Sequence, residues 1–127
     1  MRRWATLLAT GLGAGANAAC ATDPIACTAN IVPGVVVEIR DAFDGAPLAA
    51  TAGGAVQDGG FLDSLRPYGS LGNGTLVSRA AADERAGTYT VTVEQPGYIT
   101  WQGRARVHGN DCHVETVTLS AYLVASP

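Results

Sequence analysis

The residues whose chemistry could support catalysis or metal binding are few, and they lie near the end of the chain. The two histidines are His108 and His113, with Asp111 between them and Glu115 just after. If a tight hairpin joins the flanking segments, the imidazoles and Asp111 could cluster and bind a divalent metal ion. The alternation of a strand would instead send both imidazoles outward into solvent, and we adopt this second interpretation.

The recognised catalytic motifs are missing from the sequence. It contains no HExxH, no GxSxG and no phosphate-binding loop. A nucleophilic triad needs a histidine and an orienting carboxylate, so it would have to use one of the same two histidines. We therefore expect no enzyme activity, no resident metal and no cofactor, with metal-dependent hydrolysis as a remote alternative.

Three aromatic side chains near predicted loops could bind a ligand such as a polysaccharide. Tyr68, Tyr98 and Trp101 offer ring faces that could pack against the C–H groups of sugars. Trp101 follows Tyr98 by only three residues, so both could lie at one end of the fold. Trp101 is also in phase with Ala105 and Val107, which favours a place in the core. A carbohydrate-binding module is therefore the alternative function.

The cysteines are Cys20, Cys27 and Cys112, an odd number, so one must be spared or modified. If Cys20 is modified, Cys27 and Cys112 remain as one pair, and this is the pairing we favour. A Cys20–Cys27 pair would close a short loop that stabilises little, and unpaired buried thiols are the third interpretation.

The first residues have the order of a secretory signal. Arg2 and Arg3 form a basic start, an uncharged stretch runs from Trp4 to Ala16, and small residues follow up to Ala18. The stretch is too short to span a bilayer, which needs about 20 apolar residues. We therefore expect an exported product in the periplasm or at the cell surface.

The segment before Cys20 resembles a bacterial lipobox, in which a cysteine after small residues is acylated. The branched apolar residue usual three places earlier is replaced by Asn17. Plain cleavage after Ala18 explains the same residues, so both lipidation of Cys20 and simple secretion stay open. Contact with a membrane is expected only through such a lipid.

The charge balance argues against one class of partner. The 127 residues include 8 basic and 11 acidic side chains, for a net charge of −3, and loss of Arg2 and Arg3 makes it more negative. An acidic domain repels phosphate, so nucleic acid is not an expected partner.

Most of the remaining chain alternates apolar and polar residues with period two, as half-buried strands do. The clearest predicted strands are 35–40, 89–94 and 101–107, with weaker ones at 48–57, 61–65 and 76–79. The last predicted strand, 112–119, changes phase and would need a bulge near Glu115 or Thr116. We predict an irregular span over 66–75 and a short helix-like patch over 80–85. Together these elements predict an all-β sandwich.

Several motifs resemble those of the carboxypeptidase regulatory-like domain family. They are the segments Val36–Val37, Asp44–Leu48, Gly87–Val93 and Pro96–Tyr98. The resemblance covers roughly residues 31–123 and implies a transthyretin-like, seven-stranded Greek-key β-sandwich. Tyr89 would lay its ring in the core while its hydroxyl bonds a backbone carbonyl. A hydrolase of 5-hydroxyisourate in the broader class ends in Tyr-Arg-Gly-Ser, whereas this chain ends at Val124–Pro127 without that motif.

The expected organisation is a signal segment at 1–19, a tether at 20–30, the sandwich domain at 31–123 and a tail at 124–127. The expected function is a non-enzymatic module of the bacterial cell envelope, with a structural or protein-interaction role. Its partner would be an envelope protein, or a glycan under the alternative.

Overall fold

A computed structural model describes residues 26–127, so the predicted signal segment and Cys20 lie outside the described residues. The described chain forms eight strands, and none of its segments is a helix that could cross a bilayer. The strands are β1 (Pro33–Asp41), β2 (Gly53–Asp58), β3 (Phe61–Ser64), β4 (Arg66–Ser70), β5 (Leu76–Asp83), β6 (Gly87–Glu94), β7 (Trp101–Val107) and β8 (Val117–Leu123).

Two four-stranded sheets pack against each other, which confirms the all-β prediction. The first sheet has the order β4-β5-β1-β8, and the second has the order β3-β2-β6-β7. Every pairing is antiparallel except that of β1 with β8, which is parallel. Strands β7 and β8 are edges of different sheets and lie against each other, so they form one side of the sandwich.

The core follows from the alternation seen in the sequence. Val35, Val37 and Ile39 of β1 are fully buried, and so are Tyr89 and Val91 of β6 on the opposite sheet. The Tyr89 hydroxyl donates a 2.7 Å hydrogen bond to the carbonyl of Arg85, as predicted for a tyrosine whose ring is in the core. Strands with one apolar face are thus the part of the fold that period-two patterning predicts well.

Two strands lie where the sequence predicted other structure. Residues 66–70 form β4, inside the span predicted as irregular, and this strand is one reason that eight strands are seen where seven were expected. Its pairing with β5 shifts register after Pro67, and Pro67 is tolerated because β4 is an edge strand. The prediction of a helix-like patch at 80–85 was wrong, because residues up to Asp83 belong to β5. The alanines of β5 are buried between β1 and β4, and this pairing overrides their helix propensity.

The last strand is shifted relative to its prediction, and it contains no bulge near Glu115. Residues 112–116 lie outside a strand, with a single bridge joining Gly109 and Val114, and β8 begins only at Val117. The change of phase in the sequence is therefore the boundary between two segments. The weak strand predicted at 48–57 also starts late, at Gly53.

The sandwich has two distinct ends. One is the cystine end, where β1 and β8 begin and β5 and β7 finish. The other is the far end, where β1, β6 and β8 finish and β7 begins. At the far end Pro96 and Gly97 make a type II turn, with Gly97 at φ 84° and a 3.0 Å bond from the Tyr98 N–H to the Gln95 carbonyl.

Candidate functional site

The N-terminal segment is attached to the sandwich at the cystine end. Cys27 and Cys112 form a disulfide across 85 residues of sequence, which is the pairing favoured from the sequence. Next to it, the Thr28 hydroxyl and His113 Nε2 lie 2.9 Å apart. Two contacts of different chemistry thus hold residues 27–28 against the loop before β8.

Glu84 organises the same end from the turn after β5. Its Oε1 accepts a 2.8 Å hydrogen bond from the Val32 N–H and lies 2.6 Å from His113 Nδ1. The Val32 bond, followed by His113, lowers the pKa of Glu84 below its ordinary 4.5. The carboxylate is therefore charged near neutral pH and joins the start of β1 to the loop that carries Cys112.

The histidines do not assemble the metal site considered from the sequence. His108 is exposed, as predicted, but the prediction that His113 is solvated was wrong, because both of its ring nitrogens contact protein groups. Within residues 26–127 no group of three or more His, Cys, Asp or Glu side chains is arranged to hold a metal ion.

The three aromatic residues singled out from the sequence lie apart. Tyr68 is on β4, at one edge of the first sheet, whereas Trp101 begins β7 on the opposite side of the sandwich. Tyr98 and Trp101 are both at the far end, and both are partly buried against the core. A sugar could therefore not contact all three rings in one site.

The two far-end aromatics are both engaged within the protein. The Tyr98 hydroxyl donates a 2.6 Å hydrogen bond to Asp41 Oδ2. The indole of Trp101 lies over Gly103, where an added Cβ would come within 2.4 Å of the ring. Trp101 is only partly buried. Its position therefore matches neither a full place in the core nor a fully exposed ligand-binding ring.

Four exposed apolar side chains of the far end and the partly buried Trp101 form a continuous surface, which we call the far-end surface. Its members come from the β1 turn, the β6–β7 connection and the end of β8: Phe43, Ile99, Trp101, Tyr122 and Val124. A depression of about 400 Å³ beside Phe43 and one of about 160 Å³ beside Trp101 share Val124 in their walls. Phe43 is 99% exposed, which is unusual for a side chain of its size.

Acidic groups border the far-end surface. Asp41 and Asp44 flank Phe43, and Glu94 lines a neighbouring polar depression of about 480 Å³ together with Thr51 and Gln95. The Tyr98 hydroxyl, then the N–H groups of the following turn, lower the pKa of Asp41 below its ordinary 3.8. The apolar surface is therefore rimmed by negative charge at neutral pH.

Sequence reasoning missed four of the five residues of this surface. Phe43 did carry a signal, because a large apolar side chain in the tight turn Asp41–Gly45 has no strand face to bury it. Tyr122 carried a weaker one, since it alternates with the buried Ala121 and Leu123. Ile99 and Val124 gave no local signal, because they come together only where the segment before β7 lies beside the end of β8.

Two sequence comparisons gave no match from which a function could be transferred. A scan against protein-family models found no matching family, and a search of curated proteins found no significantly similar sequence. The resemblance to carboxypeptidase regulatory-like domains remains a proposal based on motifs.

Proposed function

We propose that this protein is an exported, non-enzymatic β-sandwich module of the bacterial cell envelope that binds a partner protein through its far-end surface. The leader pattern in the sequence supports export. The disulfide between Cys27 and Cys112 is compatible with it, because cystines persist in oxidising compartments such as the periplasm.

We also propose membership of the transthyretin-like, Greek-key class to which carboxypeptidase regulatory-like domains belong. Two turns support it, because their backbone suits the motif residues. Gly45 has φ 73° in the turn after β1, and Gly97 has φ 84° in the turn after β6. Pro47 then forms a bridge with Arg40, so the turn leads the chain back along β1.

One observation carries the proposal: the N-terminal attachment and the apolar far-end surface lie at opposite ends of the sandwich. The tether joins the sandwich at Cys27, at the cystine end, and the far-end surface lies where β1 and β8 finish. A module held through its N-terminal segment would therefore present Phe43 away from its attachment. This geometry suits a module that recruits a partner.

The chemistry of the surface defines the partner. Its centre is apolar and partly aromatic, and its rim carries Asp41, Asp44 and Glu94. Interfaces combine a desolvated apolar core with a polar rim, and complementary charge favours association. The partner would present an apolar patch bordered by Lys or Arg side chains.

Site-specific photo-crosslinking tests this function in intact cells. A benzophenone amino acid replaces Phe43 in the full chain, and Leu62 on β3, also exposed but outside the surface, is the matched control position. We expect one defined envelope protein to be captured from position 43, not from position 62, and lost when Ile99→Asp is added. With purified components, Phe43→Ala should weaken binding by about tenfold or more. Equal capture from both positions, or none from position 43, would contradict the proposal.

The state of Cys20 is tested by the intact mass of the chain after expression in a lipoprotein-processing host. A diacyl increment on a chain beginning at Cys20 would establish a lipid anchor. A free Ala19 terminus would establish plain secretion, and an unprocessed chain beginning at Met1 would overturn export itself.

A second candidate, carbohydrate binding, is favoured by one observation. The polar depression lined by Thr51, Glu94 and Gln95 also includes Thr100, which lines the apolar depression beside Trp101. Hydroxyl, amide and carboxylate groups next to aromatic rings are the groups that orient sugars. A glycan-array signal that is lost in Trp101→Ala and Tyr122→Ala but kept in Tyr68→Ala would favour this function over a protein partner.

A further inference from the structure

The second sheet presents polar side chains to solvent on the side away from the core. Because the side chains of a strand alternate between its two sides, every second residue of β6 and β7 points outward. These outward residues are exposed, except that Thr92 is only partly so. We call the following group the outer face: the threonine row of Thr88, Thr90 and Thr92 on β6, with Gln102, Arg104 and Arg106 beside it on β7.

The two arginines of the outer face differ from the others in the described part of the chain. The others are engaged by neighbouring groups: Arg40, Arg66 and Arg85 by carboxylates, and Arg79 by two backbone carbonyls. The guanidinium groups of Arg104 and Arg106 are exposed, and within residues 26–127 they make no ion pair or hydrogen bond. Both charges are therefore available to a ligand.

The arginines form a locally basic strip on an acidic protein. They are two residues apart on one strand, so about 6.8 Å separates their Cα atoms. The acidic residue that follows the threonine row is Glu94. It lies four residues from Thr90, which pairs with Arg104, and thus about 14 Å along the strand from that pair. Exposed charges are largely screened beyond about 8–10 Å, so Glu94 does not neutralise the strip.

The groups beside the arginines are neutral and polar. Thr88 is opposite Arg106 and Thr90 is opposite Arg104, and within residues 26–127 neither threonine hydroxyl makes a hydrogen bond. Gln102 Nε2 and the Thr92 hydroxyl lie 3.4 Å apart, which orients the amide across the face. A depression of about 410 Å³ lies over Thr90, Gln102 and Arg104. The outer face thus offers hydroxyl and amide groups next to two free positive charges.

We propose that the outer face binds an acidic polysaccharide, whose carboxylates pair with Arg104 and Arg106 and whose hydroxyl groups bond the threonine row. A guanidinium group matches the planar geometry of a carboxylate and can bind it through two hydrogen bonds. An extended polymer suits a sheet face, because it can follow the strand from one arginine to the next. The inference goes beyond the proposed function and is independent of it, because it uses no residue of the far-end surface.

The composition of the outer face favours a polysaccharide over other acidic partners. Its members on β6 and β7 include no aromatic and no large apolar side chain. Proteins that bind single-stranded nucleic acid stack its bases on aromatic rings, and the main anchors of protein interfaces are bulky side chains in desolvated pockets. Hydroxyl and amide groups instead match a polymer that is itself rich in hydroxyl groups.

The first test is affinity electrophoresis of the exported chain in gels that contain polygalacturonate, a polymer of uronic acid, or neutral dextran. We expect retardation by polygalacturonate only, and less of it as salt is raised, because salt screens exposed charges. Arg104→Gln with Arg106→Gln should raise the dissociation constant by about tenfold or more.

The matched control for this double variant is Arg40→Gln with Arg66→Gln on the first sheet, which changes the net charge equally. It should leave the affinity unchanged, since exposed ion pairs contribute little to stability. No retardation of the wild type, equal retardation by dextran, or equal losses in the two double variants would overturn the proposal.

The second test asks whether the hydroxyl groups take part, and it leaves every charge in place. Thr90→Val keeps the shape of the side chain and should weaken binding to polygalacturonate by about threefold or more. Thr118→Val, exposed on the first sheet, is the control and should bind as the wild type does. Unchanged binding of Thr90→Val, or tighter binding of the wild type to inorganic polyphosphate or to anionic lipid vesicles, would overturn the assignment to an acidic polysaccharide.

Discussion

The hydroxyl of Tyr98 donates a 2.6 Å hydrogen bond to Oδ2 of Asp41, which joins the turn after β6 to the turn after β1. The other carboxylate oxygen of Asp41 accepts bonds from the N–H groups of Phe43 (2.7 Å) and Asp44 (3.2 Å). One carboxylate thus shapes the turn that exposes Phe43 and ties it to the opposite sheet. The far-end surface is positioned by this contact.

Replacement of Tyr98 by Phe should destabilise the protein and flatten its dependence on pH. The pKa of Asp41 is lowered from 3.8, chiefly by the Tyr98 hydroxyl, so its contribution to stability is present above that pH and is lost as pH falls through the lowered pKa. The pKa of Tyr98 is raised from 10.0 by Asp41, so this contribution is present below pH 10.0 and is lost as pH rises through the raised pKa.

Urea unfolding on either side of these two pH values measures the effect of Tyr98→Phe. Both limbs of the stability profile should become shallower in the variant. Tyr68→Phe is the control, because the Tyr68 hydroxyl makes no hydrogen bond within residues 26–127 and its ring is exposed. A Tyr98→Phe profile parallel to that of the wild type would show that the contact contributes nothing.

Loss of the Cys27–Cys112 disulfide should lower the free energy of unfolding substantially. A cross-link that closes a loop of 85 residues contributes about 4–5 kcal/mol in the chain-entropy description. Cys27→Ser with Cys112→Ser, compared with the wild type in denaturant with and without dithiothreitol, measures the loss. The double variant should be insensitive to the reductant. A wild-type melting temperature that dithiothreitol leaves unchanged would contradict the prediction.

Two adjacent glycines should respond very differently to alanine. A Cβ on Gly54 would lie 2.0 Å from the carbonyl oxygen of Thr92 on the paired strand β6, whereas a Cβ on Gly53 would meet nothing within 4 Å. Gly54→Ala must displace backbone and should cost roughly 2–4 kcal/mol. Gly53→Ala should change stability by less than about 1 kcal/mol. Thermal or urea unfolding of both variants provides the comparison, and similar losses would show that β2 and β6 can separate easily.

Two isoleucines provide a matched test of the core. Ile39 is fully buried on β1, and Ile99 is 54% exposed on the far-end surface. Ile39→Ala removes packed methylene groups and should cost about 2–5 kcal/mol. Ile99→Ala should stay within about 0.5 kcal/mol of the wild type while weakening partner binding. If Ile99→Ala destabilised as strongly as Ile39→Ala, the far-end surface would belong to the core.

The strands that the sequence predicted best are those with one fully apolar face. In β6 the alternation of tyrosine and valine with polar residues is continuous, and in β1 it is interrupted only by the buried Val36; burial of the apolar face sets the register. The predictions failed where the local residue pattern favoured no strand or favoured another structure. Pro67 and Gly69 suggested a loop within β4, and the alanines at 80–82 suggested a helix within β5. Hydrogen bonds to neighbouring strands decided both.

The contacts of the candidate site were likewise predictable from the sequence only in part. The cysteine pairing and the Tyr89 hydrogen bond were predictable, because few partners were available to Cys27 and a buried tyrosine must satisfy its hydroxyl. His113 was predicted as solvated, yet its contacts come from Thr28 and Glu84, which are 85 and 29 residues away in the chain. Contacts at such separations leave no periodic trace in a sequence.

By itself, the amino-acid sequence determined the class of fold, since alternation along single segments decides which face of each strand leaves water. The tertiary structure alone decided which strands became edges and which exposed side chains met. Phe43, Ile99 and Tyr122 lie on three different segments, and β7 and β8 meet although they are edges of different sheets. Both properties depend on pairing between distant segments, which local residue patterns do not encode.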